Sequence, residues 1–361
     1  MREPKRGIGA YLTNLILRTI IGLAMLLPYR WRVPALGWVV SRLIAPLAGY
    51  RRRIRRNLAL IFPDLPQAEV KRICREVPDN AGRMLAELYS PTERAARHAD
   101  LPLTGPGVAA LEQAKADGRP IIAVSGHIGS YDALGLVFKQ QGYKIGALYR
   151  PLRNGYFNDL YVQQMAHNAS TLFEQSRRGL ARMIRHLKEG NMIAILTDQR
   201  DPSGAPLTFF GHTAYTPLSA AELALKHDAH FFCCYGIRQD NGLDFTLVVE
   251  EPIPHSDPET MMQAVNDSLE ARVRAHMGQW LWVHIAQRTT ARERLGCSTG
   301  RRGTERFGQR RRIAARIGPG PSSTPCIKTA ADPSPSITTS NTQRACPSQW
   351  PRVSIAVTTL A

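Results

Sequence analysis

Apolar residues recur along this chain with two distinct periods. Between residues 66 and 275, short continuous apolar runs predict strands, and segments with apolar residues at every third or fourth position predict helices. The runs lie at 120–125, 144–149, 192–197, 230–237 and 244–249, and the helical segments lie at 108–116, 131–140, 155–167, 177–189, 217–226 and 259–276. This alternation predicts an α/β fold with a mostly parallel central sheet flanked by helices.

The amino-terminal region is apolar but contains isolated arginines. Residues 11–27 include Arg18 near their middle, and residues 33–47 include Arg42 before the chain enters the arginine cluster of residues 51–56. The first stretch predicts a tilted transmembrane helix or a helix lying among lipid headgroups, and the cluster suits anionic lipid on the cytoplasmic side. A core helix with a solvated face is the alternative. No small-residue cleavage site follows, so we expect the segment to be retained.

Composition divides the chain into three parts. Residues 1–48 form the predicted membrane-associated helical segment, residues 49–285 the predicted globular domain, and residues 286–361 a tail rich in Arg, Ser, Thr and Pro. The tail lacks the apolar surface that offsets the entropy of ordering, so we expect it to be disordered. A true basic arm and read-through from an altered reading frame both fit this composition.

The positive charge is concentrated in the tail. The 361-residue chain has a formal net charge of +18, and residues 287–361 hold thirteen Lys/Arg against three Asp/Glu, a net +10 that leaves +8 for residues 1–286. A basic body favours anionic partners such as phospholipid headgroups, phosphorylated glycolipids or acidic carrier proteins. Nucleic acid is the competing interpretation.

The six cysteines show no metal-binding or disulfide pattern. No CxxC pair is present, so a disulfide framework or a zinc ribbon is not expected. Cys233 and Cys234 stand next to each other in a predicted buried strand, with His227 and His230 nearby. Adjacent strand residues point to opposite faces, so both thiols cannot readily serve one metal site.

A histidine follows the first predicted strand of this body. His127 stands just beyond the strand at 120–125, at the carboxyl end where open α/β sheets bind ligands, and Asp132 follows five positions later. A neutral imidazole can take a proton from a hydroxyl, and a carboxylate on its other nitrogen fixes the tautomer. Ser125 lacks the GxSxG context of a serine hydrolase. The pair therefore predicts direct transfer onto a hydroxyl without a covalent enzyme intermediate.

Four motifs in order resemble the late acyltransferases of lipid A biosynthesis, within the wider HxxxxD/E glycerolipid acyltransferase group. They are His127 with Asp132, LYRPLRN at 148–154, TDQ at 197–199 followed by FFG at 209–211, and QWLWVH at 279–284. The segment RNLALIFP at 56–63 also resembles that family, so the resemblance spans about residues 8–284. Two departures are Arg200, which stands where the family usually has another acid, and the polar sequence that begins after His284.

The resemblance implies specific roles for the motif residues. It implies that His127 is the general base and Asp132 its orienting partner. Arg150 matches the arginine of the family's second motif and is expected to hold a phosphate or the developing oxyanion, and Arg153 is expected to be a second phosphate contact. The resemblance further implies that Asp198 and Gln199 shape the acceptor pocket or support the base. Phe209 and Phe210 are expected to line the acyl channel, with a place in the hydrophobic core as the alternative.

The function implied is transfer of a fatty acyl group from an acyl-carrier-protein or acyl-CoA thioester to a hydroxyl of a lipid A precursor. The thioester is already activated, so neither a metal nor a cofactor is expected. The expected location is the inner membrane, with the catalytic domain facing the cytoplasm and no nucleic-acid partner. Two alternatives stay open: acylation of a lysophospholipid or another glycolipid, and a non-enzymatic basic protein that binds membranes or nucleic acid.

Overall fold

The computed structural model of this protein describes residue 4, residues 6–199 and residues 201–283. Residues 8–97 are mainly helical. The helices are α1 (Ile8–Met25), α2 (Tyr29–Val39), which continues through a π-helical turn (Val40–Ile44) into α3 (Ala45–Leu47), then α4 (Tyr50–Ile61), α5 (Gln67–Leu88) and α6 (Pro91–Arg97). The predicted disordered tail at 286–361, as well as His284 and Arg200, lies outside the described residues.

Strands and helices alternate through the rest of the described chain. In order they are β1 (Leu103–Thr104), α7 (Val108–Ala116), β2 (Ile121–Ser125), α8 (Tyr131–Gln140), β3 (Ile145–Tyr149), α9 (Gly155–Asn168), β4 (Thr171–Glu174), α10 (Arg177–Lys188), β5 (Met192–Leu196), β6 (Ala205–Phe209), β7 (His212–Thr216), α11 (Ser219–His227), β8 (His230–Arg238), β9 (Phe245–Pro252) and α12 (Pro258–Ala275). The predicted α/β architecture is confirmed.

The central sheet has seven strands in the order β1-β9-β8-β2-β5-β3-β4. The five strands from β8 to β4 run parallel, while β9 is antiparallel to β8 and β1 runs parallel to β9. The carboxyl ends of β2, β5, β3 and β4 therefore meet at one edge. The hairpin of β6 and β7 forms a separate two-stranded sheet.

Core residues cover both faces of the central sheet. Alternate residues of β2 divide between two clusters: Ile122 and Val124 belong to one, and Ile121 and Ala123 to the other. This is the pattern expected for a strand that packs helices on both sides. Adjacent cysteines of β8 divide in the same way, because Cys233 lies in the first cluster and Cys234 in the second. The two thiols thus point to opposite faces.

The amino-terminal helices leave a large apolar surface uncovered. By length and composition, α1 is apolar enough to cross a membrane, with a mean hydropathy of 1.5, and only 11% of it is buried. The exposed apolar side chains continue past α1 onto Trp31, Trp38 and Leu47, which are 61%, 55% and 90% exposed. Taken together, the segment Tyr29–Leu47 and α4 are also long and apolar enough to cross a membrane, but the two are bent by 83° relative to each other. The described residues thus offer one candidate membrane helix, or two if the bent pair is a single span.

Candidate active site

Strand register brings His127 and Asp198 to the same level. Within the parallel pair of β2 and β5, Ser125 lies opposite Leu196, and His127 and Asp198 each stand two positions further along the chain. Both side chains therefore lie at the carboxyl edge of the sheet, on neighbouring strands. His127 Nδ1 is 2.6 Å from Asp198 Oδ1, and the His127 backbone N–H donates to Asp198 Oδ2 at 2.7 Å.

Asp198 accepts a third hydrogen bond, from the indole of Trp280. The Trp280 Nε1–H donates to Asp198 Oδ2 at 2.9 Å, so one carboxylate oxygen accepts two N–H groups. Burial opposes ionisation of Asp198, but the charge of His127 and the hydrogen bonds from His127 and Trp280 outweigh it and lower the pKa of Asp198. An ionised carboxylate at Nδ1 holds the Nδ1–H tautomer, which makes Nε2 the basic nitrogen.

Aromatic rings pack around Trp280, the residue that donates to Asp198. Trp280 packs against Trp282 with ring centroids 4.7 Å apart, and Phe209 and Phe210 lie 5.6 and 6.2 Å from Trp280. All four side chains are at most 5% exposed. Because these rings exclude water, the hydrogen bonds to Asp198 lie in a region of low dielectric, where they are stronger than in solvent.

Asp132 lies in the first turn of α8, next to Tyr131. The edge of the Tyr131 ring meets the imidazole of His127 at 5.1 Å between centroids. Burial raises the pKa of Asp132; the positive charge of Arg94 opposes this rise, Glu87 adds to it, and the charge of His127 opposes it further. Asp132 is thus a desolvated carboxyl near the histidine, whereas the hydrogen bonds described for the imidazole Nδ1 lead to a different carboxylate.

The turn that presents His127 is hydrogen-bonded to the backbone of residues 279–281. The His127 carbonyl accepts from the Leu281 N–H at 3.0 Å, and the Gly129 N–H donates to the Gln279 carbonyl at 3.0 Å. Gly129 has φ +59° and its carbonyl accepts from Asn80 Nδ2 at 2.8 Å. Three hydrogen bonds to other parts of the chain therefore fix the backbone from His127 to Gly129.

A buried charge network supports the same turn. Arg238 donates through Nη2 to Glu87 at 3.0 Å, through Nη1 also to Glu87, and through Nε to Asn80 at 2.7 Å. Glu87 accepts from Ser130 Oγ at 3.2 Å, and Ser130 Oγ accepts from Arg94 Nη2 at 3.1 Å. Glu87, Ser130 and Arg94 are all 0% exposed. Because Ser130 immediately precedes α8, its buried hydrogen bonds to Glu87 and Arg94 hold the start of that helix in one place.

An apolar cavity of about 90 Å³ begins at this turn and passes between the sheet and the helices α8 and α9. Ser125, Tyr131 and Asp132 belong to its lining, so one end of it lies next to the histidine turn. Its sheet side is made by a row of alanines, Ala123, Ala194 and Ala147, which lie opposite one another on β2, β5 and β3. Small side chains across three adjacent strands leave the space that larger ones would fill.

The remaining predicted site residues fall into two groups. Arg150 and Arg153 lie just past the carboxyl end of β3, on the edge that carries His127, and both are exposed; Gln199 follows Asp198 and is partly buried. Phe209 and Phe210 belong to the core cluster on one face of the sheet, whereas the alanine row belongs to the other face. The structure thus places these two rings in the aromatic core around Trp280 rather than along the cavity.

Sequence reasoning did not assign roles to three residues of this site. Trp280 was recognised only as part of a motif, although its indole donates to Asp198. Glu87 and Arg238 passed unnoticed because each stands inside an otherwise ordinary helix or strand pattern. A signal was present for Glu87, since it is a carboxylate on the apolar face of α5, where a charged residue requires a buried partner.

Comparison with known proteins identifies the family of this chain. The sequence profile of the bacterial lipid A biosynthesis acyltransferases matches residues 2–289. A lipid A biosynthesis acyltransferase of Haemophilus influenzae is 22% identical over 244 residues, which cover 66% of this chain and 76% of that protein. The match makes the protein an acyltransferase of lipid A synthesis and removes the non-enzymatic alternative. The chain belongs to the bacterial lipid A biosynthesis acyltransferase family.

Proposed function

We propose that this protein transfers a fatty acyl group from acyl-carrier protein to a hydroxyl of a lipid A precursor, with His127 as general base. The observation that carries this proposal is the His127–Asp198 pair beside an apolar cavity whose lining includes Ser125, Tyr131 and Asp132. A base fixed beside a slot for hydrocarbon is the arrangement that acyl transfer to an alcohol requires.

The proposed reaction needs one proton carrier. Nε2 of His127 takes the proton of the acceptor hydroxyl as the hydroxyl oxygen forms a bond to the thioester carbon. The C–S bond then breaks, and the proton passes from the imidazolium to the departing thiolate. Asp198 stabilises the imidazolium through its hydrogen bond to Nδ1, and Asp132 does so through its nearby charge.

The acyl chain is proposed to lie in the cavity behind the alanine row. The lining is almost entirely apolar, so hydrocarbon is its best occupant. Ala194→Leu, in the middle of the row, is expected to shift donor preference towards shorter acyl chains because its added methyl groups fill the space. Ile193→Leu on the opposite face of β5 serves as the control and should leave the preferred length unchanged. An unchanged preference in both variants would place the acyl chain elsewhere.

The acceptor is proposed to approach along the carboxyl edge of the sheet. Arg150 and Arg153 are exposed there, and an arginine fork matches the oxygens of a phosphorylated sugar. Arg150→Ala is expected to raise the KM for a phosphorylated acceptor with little change in kcat, because the contact is made equally in the ground state and in the transition state. A fall in kcat at unchanged KM would instead assign Arg150 to the oxyanion.

The amino-terminal surface is proposed to hold the protein on the cytoplasmic face of the inner membrane. Trp31 and Trp38 continue the apolar surface of α1, and aromatic side chains of this kind favour the membrane interface. The arginines of α4 follow directly and suit anionic headgroups. Trp31→Glu with Trp38→Glu is expected to reduce cosedimentation with vesicles containing phosphatidylglycerol. Unchanged cosedimentation would exclude this surface as the anchor.

The catalytic proposal is tested with membranes that contain single variants. His127→Asn is expected to abolish transfer from acyl-carrier protein to a lipid A precursor, while His227→Asn, in α11, should retain it. Undiminished transfer by His127→Asn would refute the assignment of the base. Mass spectrometry of lipid A from a deletion strain separates the acceptors, because an unchanged acyl count would favour a lysophospholipid or another glycolipid.

A further inference from the structure

The exposed face of α10 is entirely cationic apart from one alanine. At roughly 100° per residue, the exposed side chains occupy a sector of about 140° around the helix axis. They are Arg177, Arg178, Ala181, Arg182, Arg185 and Lys188. The carboxylates nearest in sequence, Glu174 and Glu189, stand outside the two ends of the helix. Within the described part of the chain, no ion pair joins these five cations to a carboxylate.

The first turn of this face works against the helix itself. Arg177 and Arg178 occupy the first turn, where the positive end of the helix dipole disfavours cations. Arg178 and Arg182 are four residues apart and Arg185 follows three residues later, so like charges also repel along the face. Local choices that work against an element are typical of functional surfaces. An anionic partner removes both costs at once.

The chemistry of the face distinguishes a soluble partner from a membrane. Helices that lie in a bilayer interface insert apolar side chains between their cations. The large exposed hydrophobic residues of the described chain all fall between Ile8 and Leu47, and α10 has none of them. Its cations are therefore suited to an acidic protein surface in water, while the amino-terminal surface is suited to lipid.

The position of α10 connects this face to the reaction. The helix begins directly after the carboxyl end of β4, at the edge of the sheet that carries His127. Three strand spacings separate β2 from β4, which is about 14 Å at the usual distance between strands. A partner bound at the first turns of α10 thus lies close enough for a flexible prosthetic group on that partner to reach His127.

We infer that the exposed face of α10 is the docking surface for the acidic carrier protein that delivers the acyl thioester. The inference rests on the proposed function and adds the place where the donor binds. Complementary charge accelerates encounter and sets orientation, so binding through this face should weaken steeply as salt increases.

The test reverses two charges in the middle of the face. Arg182→Glu with Arg185→Glu is expected to raise at least tenfold both the Kd for labelled acyl-carrier protein and the KM for acyl-carrier protein as donor. With acyl-pantetheine, a thioester that lacks the protein, kcat/KM should stay within twofold of the wild type. The matched control is Lys71→Glu with Arg75→Glu on α5, which makes the same change in net charge at another exposed site.

Each alternative outcome has a distinct pattern. Equal weakening in both double variants, or a parallel loss with acyl-pantetheine, would overturn the docking surface in favour of a net-charge or folding effect. Loss of binding to phosphatidylglycerol vesicles with unchanged carrier binding would assign the face to lipid. If the wild type binds acyl-carrier protein through α10 but does not acylate a lipid A precursor, the acceptor proposal fails while the docking surface stands.

Discussion

Replacing Asp198 by Asn tests which carboxylate orients His127, the proposed general base. Oδ2 of Asp198 accepts from the backbone N–H of His127 and from Trp280, while Oδ1 faces His127 Nδ1. An asparagine has one oxygen and one NH2 group for these three donors. If the NH2 group faced the two N–H donors, two hydrogen bonds to a buried site would be lost, at about 1–3 kcal/mol for each unsatisfied group.

The amide is therefore expected to keep its oxygen towards the two N–H donors and to turn its NH2 group towards Nδ1 of His127. The imidazole then must accept at Nδ1 and carry its proton on Nε2, which is the wrong tautomer for a base. By analogy with the Asp→Asn substitution in serine proteases, kcat should fall about 10³- to 10⁴-fold. That loss corresponds to about 4–5.5 kcal/mol of transition-state stabilisation.

The assay is steady-state acyl transfer, with Asp132→Asn as the matched control. Asp132 acts through charge in this scheme, so its variant should lose about tenfold to a hundredfold. A 10³-fold loss in Asp132→Asn with normal turnover in Asp198→Asn would refute the reasoning and give the orienting role to Asp132.

Stability gives an independent check on the same variant. The folded-state pKa of Asp198 is lowered, so its ionisation stabilises the protein at pH values above the ordinary range for aspartate, and this contribution is lost as pH falls through the folded-state pKa. Asp198→Asn lacks the contribution at every pH. The Tm difference between the wild type and this variant should therefore be largest near neutral pH and shrink in acid, as measured by calorimetry.

Three other substitutions test the support of the site. Trp280→Phe retains the ring but removes a hydrogen bond to a buried carboxylate, so kcat should fall about tenfold and Tm should drop; normal kinetics would deny the indole a positioning role. Gly129 has φ +59°, and a Cβ added there would lie 2.0 Å from the Gly236 carbonyl oxygen, so Gly129→Ala should lower the free energy of unfolding by more than about 2 kcal/mol. The control is Gly118→Ala, at φ +64° but in open space, which should lower it by only about 1 kcal/mol. Equal losses in denaturant melts would contradict this reasoning. Glu87→Gln leaves Arg238 buried without its counter-charge and should cost about 3–5 kcal/mol; a change below 1 kcal/mol would show that the pair is dispensable.

How well each strand could be predicted depends on its burial. All five residues of β2 are buried, so an apolar run marks the strand clearly. β4 is a four-residue edge strand with one buried position, and it leaves no such run. β6 contains Pro206 and alternates buried with exposed positions, so it too leaves no continuous apolar run. Strands that are only partly buried therefore have no continuous apolar run by which the sequence could reveal them.

Sequence patterns locate His127 and Asp198 at the carboxyl ends of two strands, but they do not show that the two side chains contact each other. Apolar runs locate the ends of β2 and β5, and the family motifs mark His127 and Asp198 beyond them. Sequence reasoning pairs the histidine with Asp132 because the two are near neighbours in the chain. Asp198 is 71 residues away, and only the adjacency and register of two strands bring it to the imidazole.

That register also has a chemical consequence. Asp198 holds His127 twice, through the ring nitrogen and through the backbone N–H, so the carboxylate fixes the direction of the imidazole relative to the strand that carries it. Because Thr197 N–H also donates to the Ser125 carbonyl at 3.0 Å, the ladder between the two strands continues up to the site. The pairing of β2 with β5 thus also determines the orientation of the His127 imidazole. This argues that the dyad is set when β2 and β5 pair, before any substrate binds.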